Sequence, residues 1–289
     1  MKRFIAVILS VTLSIFAFGQ ELYPCQPQEE KSYGVGEFES LCVSDSFEVT
    51  LQEGRCGVMV NADKALMPYI QVYVRSGVLY IDMDEKSIPN DVKRIYRGKD
   101  APIAITHAVV TAPAFAVISA TQNAVLTSNG TVFADSLRME LTDKACVRNF
   151  KLEMEEGKLV MNKNSQAMLT LQSEKQLDVV LEGKAQLRLQ NKGNVLQAQL
   201  SGSSEASLAG EADTFSFTVS RYAHLESLDL KATRVKAEMN NGGHAIVRAE
   251  ELLNVKLAGG STLYYTGVPA IQIDEILKST FAPYKPEAK

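Results

Sequence analysis

Tryptophan is absent from the 289 residues, histidine occurs only three times, and no two cysteines have C-x-x-C spacing. The histidines, His107, His224 and His244, are far apart in sequence, so a closed zinc site built from short-range ligand pairs is excluded. There is no G-x-S-x-G, no H-E-x-x-H and no glycine-rich phosphate loop, which leaves nucleophilic, zinc and nucleotide chemistry without a motif. Surplus positive charge is missing as well. The formal charge is -4, whereas a nucleic acid or an anionic membrane partner calls for a basic footprint. After the leader described below, no apolar run approaches the twenty or so residues of a membrane-spanning helix. The mature chain is therefore read as having no transmembrane segment, no cofactor, no metal and no nucleic-acid partner.

The first feature present is that leader. Lys2 and Arg3 precede an apolar run from Phe4 to Phe18, and Ala17 and Gly19 supply the small residues a signal peptidase reads. Residues 1–19 are expected to be a signal peptide, cleaved before Gln20, which places the protein in the periplasm, on the outer membrane surface or outside the cell. A lipoprotein reading through Cys25 fits less well, because Tyr23 and Pro24 stand where small residues belong. In an exported chain Cys25, Cys42, Cys56 and Cys146 have the opportunity to pair. Cys42 and Cys56, fourteen apart in segments that read as neighbouring strands, are the first choice for a disulfide. Buried free thiols are an equal alternative.

The dominant feature is a repeat. Ile118, Leu141, Met161, Leu181, Leu200, Val219, Met239 and Leu257 recur at intervals of 18 to 23 residues. Of these eight anchors and the residues two and four before each, 23 of 24 are apolar, Gly157 being the exception, while the residues between them are mostly polar. Period-two alternation in each copy predicts a strand with one buried face. A second alternating arm follows, opening on Ala124, Ala145, Ala167, Ala185, Ala206, Ala223, Ala245 and Thr262, each followed two residues on by an apolar side chain. The arms are joined by turn residues such as Glu182-Gly183 and Asn240-Asn241-Gly242. With no helical periodicity between copies, the pattern predicts an all-β parallel β-helix of about eight coils, stacked at ~4.8 Å. An antiparallel sandwich is the competing arrangement.

Residues 111–270 are assigned to the β-helix and 38–110, which alternate around the turns at Gly54 and Ser76-Gly77, to a small antiparallel β cap. Residues 20–37 read as a spacer and 271–289 as a closing segment and tail, with Ile271 to Lys278 either a strand or an amphipathic turn.

Several segments resemble a known family. Phe38-Glu39-Ser40-Leu41-Cys42-Val43-Ser44, Phe47 to Gly54 and Val74 to Ile81, together with the turns Leu200-Ser201-Gly202-Ser203 and Leu257-Ala258-Gly259-Gly260-Ser261 and the closing Tyr265-Thr266-Gly267-Val268-Pro269, are similar to the auto-transporter adhesin head GIN domain proteins of bacterial envelopes. The likeness runs over about residues 38 to 270. Asp143 and Lys163 depart from it, standing where the family has glycine. The resemblance implies a β-helical, surface-associated domain with no assigned catalytic residues.

Function is therefore sought on the outer wall. Catalysis on a β-helix calls for two converging carboxylates or a Ca²⁺-binding acidic cluster, but the outward slots mix charges: Glu140 follows Arg138, Glu238 follows Lys236, and Asp178 lies across from Lys158. No catalytic residue is assigned. His224 and His244 are one period apart, yet their flanking residues argue against a shared site. Tyr69, Tyr73, Tyr80 and Tyr96 cluster near the cap and offer surfaces for sugar stacking, with core or rim packing the plainer reading. The expectation is a non-catalytic binding or adhesion module that meets a surface protein or glycan over an extended area, with self-association through an uncovered end as a further option. A polysaccharide lyase or hydrolase is the alternative.

Overall fold

The computed structural model describes residues 27–99 and 101–285. The leader and Cys25 lie outside the described residues. The chain forms a β-solenoid of about eight turns. Its regular part begins at β8 (Val117–Ala120) and β9 (Val125–Ser128) and continues through β10 (Thr131–Leu141), β11 (Cys146–Met161), β12 (Gln166–Leu181), β13 (Gln186–Leu200), β14 (Glu205–Val219), β15 (His224–Met239) and β16 (His244–Leu257). It ends in β17 (Thr262–Thr266), β18 (Ala270–Ile276) and β19 (Thr280–Pro283). Each winding pairs in parallel with the one before it, so the sandwich alternative is overturned by strand direction.

Each winding has three sides. The first carries the anchors: from Leu137 onward every assigned inward position is buried except Gly157. The second begins just after the tight turn. The third is absent from the simple alternation but buries Phe150, Leu152 and Met154 in one winding and Leu169 and Leu171 in the next. Burying alternate side chains contributes on the order of 25 cal/mol per Å² of apolar surface, and stacking sets like residues in columns.

Two registers need correction. In the first copy Ala114 and Ala116 are exposed while Phe115 is buried, because Leu141 pairs with Ala120 and Met139 with Ile118. On the second side the column after the turn reads Ala124, Ala145, Ser165, Ala185, Ser204, Ala223, Gly243, Ser261, as the ladder sets Leu187 level with Ala167 and Ala206. Ala167, Ala206 and Ala245 therefore sit one inward step further along than the repeat assigned them. The three serines are fully buried. Ser165 and Ser204 donate their hydroxyls to the carbonyls of Asn162 and Ser201, three residues back, which satisfies them inside the core.

The turn explains why the column is small. Its second residue is left-handed in winding after winding: Gln122, Asp143, Lys163, Gly183, Gly202, Arg221, Asn241 and Gly259 all have positive φ. Successive turns stack through the backbone, the amide of Lys184 donating to the carbonyl of Lys163 (2.6 Å) and that of Ser203 to Gly183 (2.6 Å). The stack imposes this geometry even where glycine is lacking. Asp143 (φ 62) and Lys163 (φ 57) adopt it, and Lys163 Nζ donates to Asp143 Oδ1 at 2.6 Å across the windings.

The amino-terminal region is mixed in direction. β1 (Gln28–Tyr33), β2 (Ser40–Val43), β3 (Glu48–Glu53), β4 (Gly57–Asp63), β5 (Ile70–Arg75), β6 (Val78–Met83) and β7 (Thr106–Ala112) are joined by a short 3-10 turn (Met67–Tyr69) and α1 (Asn90–Ile95). β2 lies in parallel between β6 and β8, and β3 between β7 and β9, so this winding is sandwiched out of chain order. Outside it the antiparallel cap is laid down: β5 on β6, β4 on β7, β1 on β4. The expected spacer thus contains β1, and the expected tail contains β18 and β19, which add parallel strands to β16 and β17.

The phase of the first side gives a direct check. Leu200 is 1% exposed while Gln199 points outward. Leu200→Asp should lower stability by about 3 kcal/mol or more through an unpaired buried charge, and Gln199→Asp by under about 0.5 kcal/mol, as read by denaturant melts. In the turn stack, a Cβ on Gly202 (φ 80) would lie 2.8 Å from the Gly183 carbonyl oxygen. Gly202→Ala should therefore cost about 1–2 kcal/mol or more in the same assay.

Candidate functional site

The outward wall carries the site candidates. On the second side the outward column contains Cys146, Gln166, Gln186, Glu205, His224, His244 and Thr262. Contrary to the reading from flanking residues, His224 and His244 pair directly, because Ala223 and Gly243 occupy the same inward column and each histidine follows it. Their Nδ1 atoms are 2.9 Å apart and their ring centroids 4.6 Å apart. Such a contact requires one nitrogen to donate and the other to accept, so both rings cannot be protonated in it. Tyr264 meets His244 edge-on at 5.9 Å, and Glu205 precedes His224 in the column. Burial, and then the neighbouring His224, hold the His244 pKa below the ordinary value.

Beside this pair a shallow concavity of about 740 Å³ runs along the second side, bordered by Arg148, Met168, Arg188, Glu205 and His224. Met168 is 47% exposed there, an apolar spot on a border that also holds Arg148 and Arg188. A second shallow concavity, about 650 Å³, follows the corner between the third and first sides and is bordered by Glu174, Lys192, Glu211, Asp213 and Lys231. A third, about 430 Å³, is acidic, with Asp135, Glu153, Glu155 and Glu174 on its rim. Sequence reasoning missed that grouping. The acids come from three successive windings and converge only because Asp135 and Glu155 share a corner on either side of a paired register. Among the described residues no group of three or more His, Cys, Asp or Glu side chains is arranged to hold a metal ion.

Many wall carboxylates are neutralised by neighbours. Glu140 accepts from Arg138 at 2.5 Å, Glu238 from Lys236 at 2.8 Å and Glu250 from Arg248 at 2.6 Å, while Glu155 pairs with Lys175. The Lys236 partner holds the Glu238 carboxyl below the usual carboxylate range. Asp178, level with Lys158, instead accepts from Gln176 Nε2 at 2.7 Å. Asp82 moves the other way. Burial, then Asp45 and Asp84, push its pKa up.

The tyrosines separate. Tyr73 and Tyr80 form a cross-strand pair on β5 and β6, stacked at 5.1 Å with 12° between planes, and Tyr73 is 41% exposed. Tyr96 belongs elsewhere: burial first, then Asp63, drives its hydroxyl pKa upward. Cys42, Cys56 and Cys146 are free thiols in this structure. Cys42 lies on β2, between β6 and β8, and Cys56 in the bend between β3 and β4. Cys42 lies level with Tyr80 and Ser119, and Cys56 Sγ approaches the Phe38 carbonyl at 3.7 Å.

Stacked parallel windings, a wall with shallow concavities and small buried residues after each turn define a β-solenoid domain. Residues 37–269 match the family described as "Putative auto-transporter adhesin, head GIN domain", and the chain belongs to that family. Solved structures share the fold. A "putative lipid binding protein" from Parabacteroides distasonis is 15% identical, with 89% of this chain and 97% of that one aligned at a TM-score of 0.59. A "putative adhesin" from the same organism is 16% identical, with 90% and 98% aligned at 0.58, and another from Parabacteroides merdae is 14% identical, with 89% and 96% aligned at 0.51. A search of curated proteins gives no match.

The histidine pair makes the wall acid-sensitive. Because the folded pKa of His244 lies below the unfolded value of about 6.5, the folded chain binds fewer protons, and the contribution to stability is complete above that value and lost as pH falls through the folded one. Melting temperature should therefore drop on going from pH 7.5 to pH 5. Since carboxylates contribute a background, the decisive comparison is His244→Gln, in which the drop should be smaller.

Proposed function

We propose that this chain is an exported, non-catalytic envelope protein whose solenoid wall binds another surface, protein or glycan, through extended area. Membership of an adhesin-type family supports a binding role, and the leader of residues 1–19 supports export to the periplasm, the outer membrane surface or the exterior. The observation that carries the non-catalytic part is the pairing of wall carboxylates: Glu140, Glu155, Glu238 and Glu250 each meet a cation. Each of these carboxylates is engaged by a cation of the same wall instead of standing free beside a second carboxylate. Contacts spread over several windings suit recognition of an extended partner better than enclosure of a small molecule.

A carbohydrate-active enzyme is the second reading, favoured by the acidic rim of Asp135, Glu153, Glu155 and Glu174 and by the raised pKa of Asp82. Incubation with a polysaccharide panel, with and without Ca²⁺, separates the two. No new reducing ends or unsaturated products are expected, together with retention of the protein on native cell envelopes. Turnover that disappears in an Asp82→Asn or Glu153→Gln variant would replace the binding module by the enzyme.

A further inference from the structure

His224 and His244 stand on consecutive rungs of one parallel ladder, β15 against β16, and both are half-buried on the outward face. The backbone under each ring is pinned. The His224 amide donates to the Ser204 carbonyl at 2.9 Å and the His244 amide to the Ala223 carbonyl at 3.0 Å. The flanking inward residues Ala223, Leu225 and Ala245 are fully buried, so neither histidine Cα can shift without opening the core. The distance between the facing nitrogens suits a shared ion. Two imidazole nitrogens bound at about 2.05 Å to one metal lie about 3.3 Å apart at a tetrahedral angle and about 2.9 Å apart at a right angle. The Nδ1 atoms here are 2.9 Å apart, the right-angle value. Right angles belong to the tetragonal fields of Cu²⁺ and Ni²⁺, whereas Zn²⁺ prefers the tetrahedron, and Ca²⁺ and Mg²⁺ take oxygen donors.

We infer that His224 and His244 form a two-histidine site for a divalent transition-metal ion of tetragonal preference, Ni²⁺ or Cu²⁺, with water in its remaining positions. In the hydrogen-bonded pair one Nδ1 carries a hydrogen and the other accepts it. A bound ion takes the place of that hydrogen. The proton leaves Nδ1 and one from water is taken up at Nε2 of the same ring, so both rings stay neutral and both Nδ1 lone pairs turn to the ion. Glu205, level with His224 on the preceding winding, and Glu226, two residues after it on the same face, add negative charge beside the ion. His107 offers no such pair, since its rung neighbours are Glu48 and Asn61 and its Nε2 lies 3.2 Å from the Glu48 carboxylate. Two donors from adjacent windings let the ion brace the joint between them while leaving it open to solvent. The site is independent of what the wall binds.

Ni²⁺ is the probe of choice because it does not oxidise the free thiols Cys42, Cys56 and Cys146. Calorimetric titration of the protein as its producing cell matures it, without an affinity tag, should show saturable binding of one Ni²⁺ per chain. His224→Gln and His244→Gln should each weaken it at least about ten-fold, because the second donor then no longer acts within the same molecule, and His107→Gln should leave it unchanged. Zn²⁺ should bind more weakly than Ni²⁺, and Ca²⁺ in about ten-fold excess should not displace it. Should either glutamine variant at the pair fail to give the wild-type circular dichroism melt, the wild-type chain decides: paramagnetic Ni²⁺ should broaden the imidazole proton signals of two histidines and spare the one that His107→Gln removes. No saturable Ni²⁺ binding, binding that survives loss of either histidine, tighter binding of Zn²⁺, displacement by Ca²⁺, or broadening of His107 in place of the pair would each overturn the inference.

Discussion

Everything in this molecule depends on one constraint: every winding must present the same inward columns to the winding above it while the backbone ladder stays parallel. The left-handed residue in the tight turn makes that possible. It carries the chain from the first side to the second within four residues, and the carbonyl it exposes accepts the amide of the next turn, as Lys163 does from Lys184 and Gly183 from Ser203. Wherever the chain lacks glycine at that point, the stack holds a side chain in a conformation that costs about 1–2 kcal/mol. At Asp143 and Lys163 an ion pair between exposed side chains returns part of that strain, though an exposed pair contributes under about 1 kcal/mol. The collective ladder, rather than the local propensity of any residue, therefore fixes the turn.

The same constraint decides how much was legible beforehand. The first side was readable because its alternation is unbroken from Leu177 to Leu181 and from Leu253 to Leu257. The third side was not, because bulges interrupt the ladder near Val147 and Phe150, between Met154 and Glu156, and again between Ser227 and Ala232. Each bulge shifts the phase of alternation by a residue and hides the buried set from any period-two search. The second side was misread by two residues in several copies for a related reason. Alanine marks the inward column after the turn in some windings, but serine or glycine does so in others, and Ser165 and Ser204 belong inside only because the turn carbonyl accepts their hydroxyls.

The histidine pair illustrates the cost of that slip. Its one-period spacing was visible in the sequence, yet the flanking residues seemed to place the two rings at different phases. Once Gly243 is recognised as the counterpart of Ala223, the rings must stand side by side on the wall. The acidic rim around Asp135, Glu153 and Glu155 was less accessible still, since it depends on which corner residues turn outward where the strands bend. The out-of-order winding, with β2 wedged between β6 and β8, is likewise a topology that sequence neighbourhood does not reveal.

A solenoid separates what holds it together from what it shows. Inward columns are restricted by volume, whereas outward residues are free to vary, and some pair along one strand, as Arg138 does with Glu140 and Lys236 with Glu238. Variation of the wall leaves the core untouched, so a family can change its ligands without changing its fold. The ends obey a different rule, because there the core itself meets solvent. At one end the chain folds back, and β1, β4 and β5 lie antiparallel outside the parallel windings. At the other, Ile271, Ile273 and Ile276 extend the column with side chains as apolar as those beneath them, although polar residues there would have ended it at no cost to the windings below. That choice of residues is what sets the carboxyl-terminal end apart from a simple termination of the repeat.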